Sequence, residues 1–196
     1  MSTLPDRAPD QPNRSPWLRR QSIAIRVVAM LLGVLVLTAS SWVAIPMLPV
    51  PMTLQTLAVL LVGALYGWRL GGLTVVLWLL LAACGLPLLA GGSGGWERFL
   101  GPTGGFLLAF PLATALSGWL AERGWDGGRV GRAFAAMLIG HALCLLLGGA
   151  WLAASIGLPK ALAAGVLPFI PGALLKSALG AALLKAVTVM RAPPTA

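Results

Sequence analysis

Lys176 is the residue of this sequence whose surroundings most clearly indicate a chemical role. It lies within PGALLKSALG at 171–180, where nearly all its neighbours are apolar or small. If a helix begins at Pro171, which suits a first-turn position, Lys176 lies roughly 7 to 8 Å inside that helix at 1.5 Å per residue. A lysine at this depth either extends its stem to the surface or holds an anionic group in a pocket. Its neighbours favour the pocket.

Small residues surround this lysine on the predicted helix. Gly172, Lys176 and Gly180 share one face, at spacings of four, and a second stripe of small residues runs beside it: Ala173, Ser177 and Ala181. Small side chains let helices approach each other closely. The lysine is therefore predicted to point into the bundle or a cavity, where it binds an anion such as a carboxylate.

The stretch IPMLPVPMTLQTL contributes a second group of candidates. Its three prolines, at 46, 49 and 51, predict a rigid, extended loop before a helix that starts near Thr53. Thr53 is suited to capping that helix. Gln55 can both donate and accept hydrogen bonds, which suits either recognition of an amide or urea edge or a bond between helices.

The stretch GGSGGWERFLGPTGGF at 91–106 has seven glycines in sixteen positions, a composition found in phosphate-binding loops. Such a loop needs a nearby Lys or the pattern G-x-G-x-x-G between a strand and a helix. Neither is present, and GALLKS at 172–177 lacks the glycine that precedes the lysine of a P-loop. We therefore predict that the chain does not hydrolyse ATP by itself.

A lid over a ligand site is the alternative role for this loop. Glycines such as Gly92 permit backbone conformations and close approaches that side chains would block. Three aromatic residues, Trp96, Phe99 and Phe106, offer apolar surface, and Pro102 with Thr103 is predicted to fix the start of the next helix.

Composition shows what kind of protein must position these groups. The 196 residues are 58% hydrophobic and 10% charged, with a mean hydropathy of +0.90, so the chain is predicted to be an integral membrane protein. The fold class is all-α, a bundle of six transmembrane helices, although the second and third could form one bent hairpin. The predicted spans are 23–44, 54–67, 70–89, 104–121, 131–156 and 166–190.

Charge distribution predicts the orientation. The net charge is +9, but eleven of the fourteen basic residues fall on or near one side of the predicted spans, so the charge reflects topology in a lipid bilayer rather than binding to nucleic acid. This places both termini in the cytoplasm and the glycine loop outside. Residues 1–22 are predicted to be a disordered cytoplasmic tail, 23–191 the membrane domain and 192–196 a second cytoplasmic tail.

Catalytic and metal-binding sets are missing from the sequence. The chain has one histidine, His141, and five carboxylates, most of them in predicted tails or loops. We therefore predict no catalytic residues, no metal site and no cofactor. His141, predicted near the inner end of the fifth span, is expected to bond a neighbouring helix, with a gating or proton role as the alternative.

Several motifs together resemble the BioY family of biotin-binding proteins, the substrate-capture (S) components of energy-coupling factor (ECF) transporters. They occur in order along the chain: PVPMTLQTLAVLLVGALYG at 49–67, GLPLLAGGSGG and GPTGGFLLAFPLA within 85–113, GGAWLA at 148–153 and GVLPFIPGALLK at 165–176. The resemblance implies a six-helix bundle that binds biotin from outside, near the ends of the later helices. The predicted binding residues are Thr53, Gln55, Gly92, Trp96, Glu97, Thr103, Phe106, Gly172, Ala173 and Lys176.

The resemblance also implies partners and a location. Transport in this family is energised by a membrane T component and a pair of cytoplasmic ABC-type ATPases, and the expected location is the bacterial cytoplasmic membrane. The family contacts its T component through small residues spaced four apart on the first helix. Here Ala29 and Gly33 are the corresponding pair.

Position 173 departs from the family pattern. The family usually has an acidic residue three positions before the lysine, where it would accept hydrogen bonds from the ureido N–H groups, and this chain has Ala173. Either Glu97 in the glycine loop or neutral acceptors such as Gln55 would then replace the acid. The alternative functions are capture of another carboxylated vitamin or a biotin precursor and, from a different class, a membrane scaffold or an enzyme.

Overall fold

The computed structural model describes Leu18 and residues 21–191, and these residues are mainly helical. The predicted tails at 1–22 and 192–196 therefore lie outside the described residues, apart from Leu18, Gln21 and Ser22. The helices are α1 Ile23–Trp42, α2 Gln55–Ala83, α3 Glu97–Leu100, α4 Gly104–Glu122, α5 Val130–Ile156, α6 Leu158–Ala161 and α7 Phe169–Arg191. Two short strands, β1 Ala44–Ile45 and β2 Met52–Thr53, pair antiparallel.

The described part of the chain contains five helical segments long and apolar enough to cross a membrane. These are α1, α2, α4, α5 and the segment Leu158–Arg191, which includes α6, a π-helical turn and α7. Many of their large apolar side chains are exposed, including Leu35 at 64% and Leu146 at 70%. Apolar surface of this extent suits lipid, and the protein is a multi-pass helical membrane protein.

The helices match the predicted spans closely, with one difference in count. The hydropathy pattern predicts separate spans at 54–67 and 70–89, whereas the structure has one helical segment, Gln55–Ala83, which ends six residues before the second predicted span does. That segment is interrupted at Gly67, whose φ of 82° and ψ of 167° are not helical. Glycine adopts such a φ without steric cost.

The chain folds back on itself at Gly67. A Cβ built on Gly71 would lie 3.0 Å from the Cα of Gly63. In a straight helix these residues would be about 12 Å apart along the axis. The arms 55–66 and 68–83 therefore pack against each other as a helical hairpin, which is the bent-hairpin alternative of the sequence analysis.

Helix α4 packs against this hairpin at close range. The Thr114 hydroxyl donates to Phe110 O at 2.8 Å and to Val59 O at 3.3 Å, and the Ser117 hydroxyl donates to Leu60 O at 2.9 Å. Small and hydroxylated residues let the backbones come this close.

Helix α1 packs on the hairpin through its own small residues. The Tyr66 hydroxyl donates to Ala29 O at 2.9 Å, and a Cβ on Gly33 would lie 2.7 Å from the Thr74 Cγ2. Ala29 and Gly33, predicted to contact a T component, therefore contact α2 of the same chain. Gly33 also lines a groove between α1 and α2, and the contact with a T component stays a prediction.

One end of the bundle is closed and basic. Trp68 N–H donates to the Glu122 carboxylate at 3.3 Å, and the Gly127 backbone lies against α7 at Leu184. The start of α1, the Gly67 turn, the 123–129 loop and the end of α7 meet here. We call this the basic end, after its cations: Arg26, Arg69, Arg123, Arg129, Arg132, Lys185 and Arg191.

Candidate functional site

A cavity of about 470 Å³ lies at the opposite end of the bundle, which we call the cavity end. Its wall comes from the loop between β1 and β2, the start of α2, the glycine loop, and residues of α4, α5 and α7. The volume falls in the usual range for small-molecule sites, and apolar side chains with a few polar groups are their usual lining.

The proline loop forms one side of this cavity. All six of its residues, at 46–51, line the wall. It connects β1 to β2, whose register pairs Ala44 with Thr53 and Ile45 with Met52. The extended chain was predicted, but the pairing was not, because strands of two residues show no detectable alternation.

Lys176 is buried at this cavity and does not reach the surface. It is 9% exposed, and its Nζ donates to Thr53 O at 3.0 Å and to Thr56 Oγ1 at 2.8 Å. An ammonium has three N–H donors, so the bonds within the described residues leave one for a ligand. These contacts match the predicted pocket rather than the surface alternative.

Thr53 holds the start of α2 in place, although the N-cap residue of that helix is Leu54 and not Thr53 as predicted. Its hydroxyl accepts from Gln55 N–H at 3.2 Å and donates to Gln55 Oε1 at 2.9 Å. Gln55 is the first residue of α2 and is 6% exposed. Among the described residues, the Gln55 Nε2 amide has no hydrogen-bond partner, and the side chain does not make the helix-to-helix bond that was the alternative prediction.

His141 also lines the cavity. Its predicted position is near the inner end of the fifth span, but it lies eleven residues after Val130, or about 16 Å from the start of α5. That prediction of position is wrong, because eleven residues of α5 precede His141 and fifteen follow it, which places the histidine nearer the middle of the helix. Ser177 on α7 lies 3.0 Å from the His141 Nδ1, which confirms the predicted bond to a neighbouring helix.

The glycine loop is held at Gly95 and Gly101 and contributes to the cavity wall. Gly95 N–H donates to Ala82 O at 2.8 Å, and the Trp151 indole donates to Gly101 O at 3.0 Å. Between these points the chain forms the single turn of α3. Three of the loop residues predicted for the site line the cavity: Glu97, Thr103 and Phe106.

Three predicted site residues lie outside the cavity wall. Gly92 is exposed in a turn with a φ of 67°. Trp96 is 62% exposed and stacks on Phe99 with ring centroids 5.6 Å apart, so it faces away from the cavity. Gly172 lies against Met52, since a Cβ there would be 3.1 Å from the Met52 sulfur. The structure thus brings together seven of the ten: Thr53, Gln55, Glu97, Thr103, Phe106, Ala173 and Lys176.

Several wall residues were not predicted. Thr56 binds the lysine directly, and its only sequence signal is its position after Gln55 in TLQT. Phe110 and Phe169 extend the apolar wall, and Phe169 stacks on Phe106 at 6.4 Å. Apolar residues in an apolar span carry no pattern that separates cavity wall from core, so these positions required the fold.

This combination defines a membrane protein with a small-molecule site among its helix ends. The chain belongs to the BioY family, whose family model matches residues 13–192.

Two curated relatives and one solved structure show the same similarity. The probable biotin transporter BioY of Pyrococcus horikoshii is 42% identical over 130 residues, covering 66% of this chain and 75% of the relative. The biotin transporter BioY of Rhizobium etli is 39% identical over 150 residues, covering 72% and 80%. A crystal structure of the S-component for biotin from an ECF-type ABC transporter matches with a TM-score of 0.71 and 27% identity, over 85% of this chain and 90% of that one. These are transporters, so the prediction that the chain is not an enzyme is confirmed.

Proposed function

We propose that this chain is a biotin-binding S component, which captures the vitamin from outside the cell for uptake. The observation that carries the proposal is Lys176, buried at the cavity of a BioY-family protein with an N–H donor still available among the described contacts. A buried cation is retained where it has a partner to bind, and the valerate carboxylate of biotin is such a partner.

The remaining wall fits the rest of the vitamin. The unpartnered Gln55 amide is suited to donate to the ureido carbonyl, and Phe106 with Phe110 offers apolar surface to the fused rings. Thr53 acts indirectly, because its carbonyl and hydroxyl hold Lys176 and Gln55. Thr103 and Ala173 complete the wall without a charge of their own.

We propose that the chain crosses the membrane six times, with both termini in the cytoplasm. The turn at Gly67 supports this count, because the arms 55–66 and 68–83 run in opposite directions. The basic end then faces the cytoplasm, as cationic loops do, and the cavity faces outward. The proposed location is a bacterial cytoplasmic membrane.

Energy for transport would come from partners. We propose a membrane T component and two cytoplasmic ABC-type ATPases, because the similar solved structure is described as belonging to an ECF-type ABC transporter. The chain itself has no P-loop sequence. The membrane domain at 23–191 would then bind the T component within the membrane, and the segments 1–22 and 192–196 would be cytoplasmic tails.

The glycine loop would act as a lid that is fixed at two positions, Gly95 and Gly101. Its bonds at Gly95 and Gly101 restrict movement to the few residues between them. Exposed Trp96 is a suitable site for a spin label in a Trp96→Cys variant that lacks the two native cysteines. The lid predicts reduced label mobility when biotin is added, and an unchanged spectrum at saturating biotin would contradict it.

Equilibrium competition on purified protein tests the function. Labelled biotin is displaced by biotin, by a biotin precursor and by other carboxylated vitamins. We expect biotin to compete most tightly. Preferential binding of another compound would overturn the ligand assignment and favour the alternative of a different carboxylated vitamin or precursor.

A further inference from the structure

Some polar side chains of the cavity wall already make hydrogen bonds within the protein, and others do not. Thr56 Oγ1 accepts from Lys176, and Gln55 Oε1 accepts from the Thr53 hydroxyl. Glu97 is the carboxylate of the described wall, and its side chain is exposed at the glycine loop. The buried side-chain oxygens of the wall are thus already in use.

His141 is the exception among these acceptors. It is 2% exposed, and its Nε2 is buried with no hydrogen-bond partner among the described residues. Its Nδ1 lies 2.9 Å from Met137 O, one turn earlier on the same helix. A carbonyl oxygen only accepts, so Nδ1 carries the proton and donates to it. The Ser177 hydroxyl oxygen, 3.0 Å from Nδ1, then accepts a second branch of the same N–H bond.

These contacts determine what the other nitrogen can do. In a neutral imidazole that is protonated on Nδ1, Nε2 has the lone pair and accepts. The neutral ring is the less costly form at a buried site beside Lys176, because an unpaired buried charge is expensive. Nε2 is also the tip of the ring furthest from its own backbone, at a residue that lines the cavity. An unpartnered buried acceptor is costly unless a ligand satisfies it.

We propose that His141 Nε2 accepts a hydrogen bond from a ureido N–H of the ligand, with the unpartnered Gln55 amide donating to the ureido carbonyl. This assignment rests on the proposed function. It gives the chain a neutral acceptor for the ligand where Ala173 supplies none. His141 is the residue that contacts ligand, and Ser177 is a positioning residue that fixes the ring edge.

Two substitutions separate the ring nitrogens. The amide of asparagine occupies the place of Nδ1, and the amide of glutamine reaches the place of Nε2. His141→Asn therefore keeps an amide N–H that faces Met137 and Ser177 but removes the acceptor at the Nε2 position. His141→Gln instead places an amide oxygen at the Nε2 position as the acceptor. We expect the dissociation constant for biotin to rise roughly 5- to 150-fold in His141→Asn and to stay within about threefold of wild type in His141→Gln. Melting temperatures measured without ligand report whether each variant is folded.

Ligand analogues give a measurement that needs no variant. Biotin methylated at N1′ or at N3′ lacks one ureido N–H, and dethiobiotin retains both. In wild type we expect one of the methylated analogues to bind much more weakly than biotin. In His141→Asn that preference shrinks, whereas affinity for dethiobiotin falls by the same factor as affinity for biotin.

The outcomes distinguish this assignment from the proposed function. If wild type does not bind biotin, the proposed function fails and the assignment fails with it. If wild type binds biotin and folded His141→Asn binds it equally well, the assignment alone is wrong. Equal losses in the folded Asn and Gln variants, or no preference for biotin over both methylated analogues in wild type, would also overturn it.

Discussion

The two ends of this bundle differ in how the helix ends meet: they pack directly at one end and are separated by loops at the other. At the basic end the backbones touch, as where Gly118 lies against Trp68 and Gly127 against Leu184. At the cavity end the proline loop and the glycine loop lie between the helix ends and border a space of about 470 Å³. Glycine contacts therefore close one end, and inserted loops keep the other open.

The polar groups differ in the same way. At the basic end the cations lie at the surface, and Arg123 packs 3.4 Å from the centre of the Trp119 ring. At the cavity end a single buried cation, among the described residues, is held by two internal bonds beside buried nitrogens that have no described partner. Substitutions at the cavity end should thus change binding more than stability, and those at the basic end the reverse.

Replacing the buried lysine should have the largest effect. In Lys176→Met the stem volume is kept and the charged donor is lost. Hydrogen bonds to charged groups contribute about 1.5–3 kcal/mol, so biotin affinity should fall roughly 10- to 150-fold. Equilibrium binding measures it, with Lys185→Met at the basic end as the matched control. Unchanged affinity in Lys176→Met would remove the assigned role.

One added methyl group tests the close packing of the backbones at the basic end. A Cβ on Gly118 would lie 2.5 Å from the Trp68 backbone nitrogen, so Gly118→Ala should destabilise the fold by about 1–3 kcal/mol. Gly72→Ala is the control, because a Cβ there meets no described atom within 4 Å. Thermal unfolding in detergent compares them. Equal melting temperatures for the two variants would show that the Gly118 contact is not tight.

Gln55 tests the cavity end with a smaller change. Gln55→Leu removes the free amide, and a neutral hydrogen bond contributes about 0.5–1.5 kcal/mol. Biotin affinity should therefore fall roughly 2- to 12-fold. Gln55→Met, which keeps the length of the side chain and likewise has no N–H, should show the same loss. If Gln55→Leu binds biotin as wild type does, the amide does not contact the ligand.

Arg123 should show the smallest effect, and on stability alone. An exposed cation–π contact contributes about 0.5–1 kcal/mol, so Arg123→Gln should lower the melting temperature slightly and leave biotin affinity unchanged. A measurable loss of affinity would mean that the two ends are coupled, contrary to the comparison.

The sequence was sufficient to predict most helices because hydropathy, charge and Pro/Gly breaks are local signals. The spans at 104–121 and 131–156 differ from α4 and α5 by one residue at one end. Lys176 was predictable for the same reason, because it lies near the start of an apolar helix whose other cations, Lys185 and Arg191, lie towards the far end. The number of predicted spans differed from the number of helical segments at Gly67, because that one residue determines whether two spans form one segment.

Long-range contacts could not be predicted. Thr56 meets Lys176 across 120 positions, and Ser177 meets His141 across 36, so no local pattern relates them. Trp96 was predicted to cover the ligand because it is aromatic and in the loop. Its direction depends on the stack with Phe99, which only the fold determines.

Ligand-dependent thermal stability of the purified protein tests the central claim most directly. A ligand that binds only the folded protein stabilises it by about 2.7 kcal/mol at a hundred times its dissociation constant. We predict that biotin raises the melting temperature of wild type progressively with concentration, and that Lys176→Met needs far more biotin for the same rise. No shift in wild type at millimolar biotin would contradict a biotin site in this cavity.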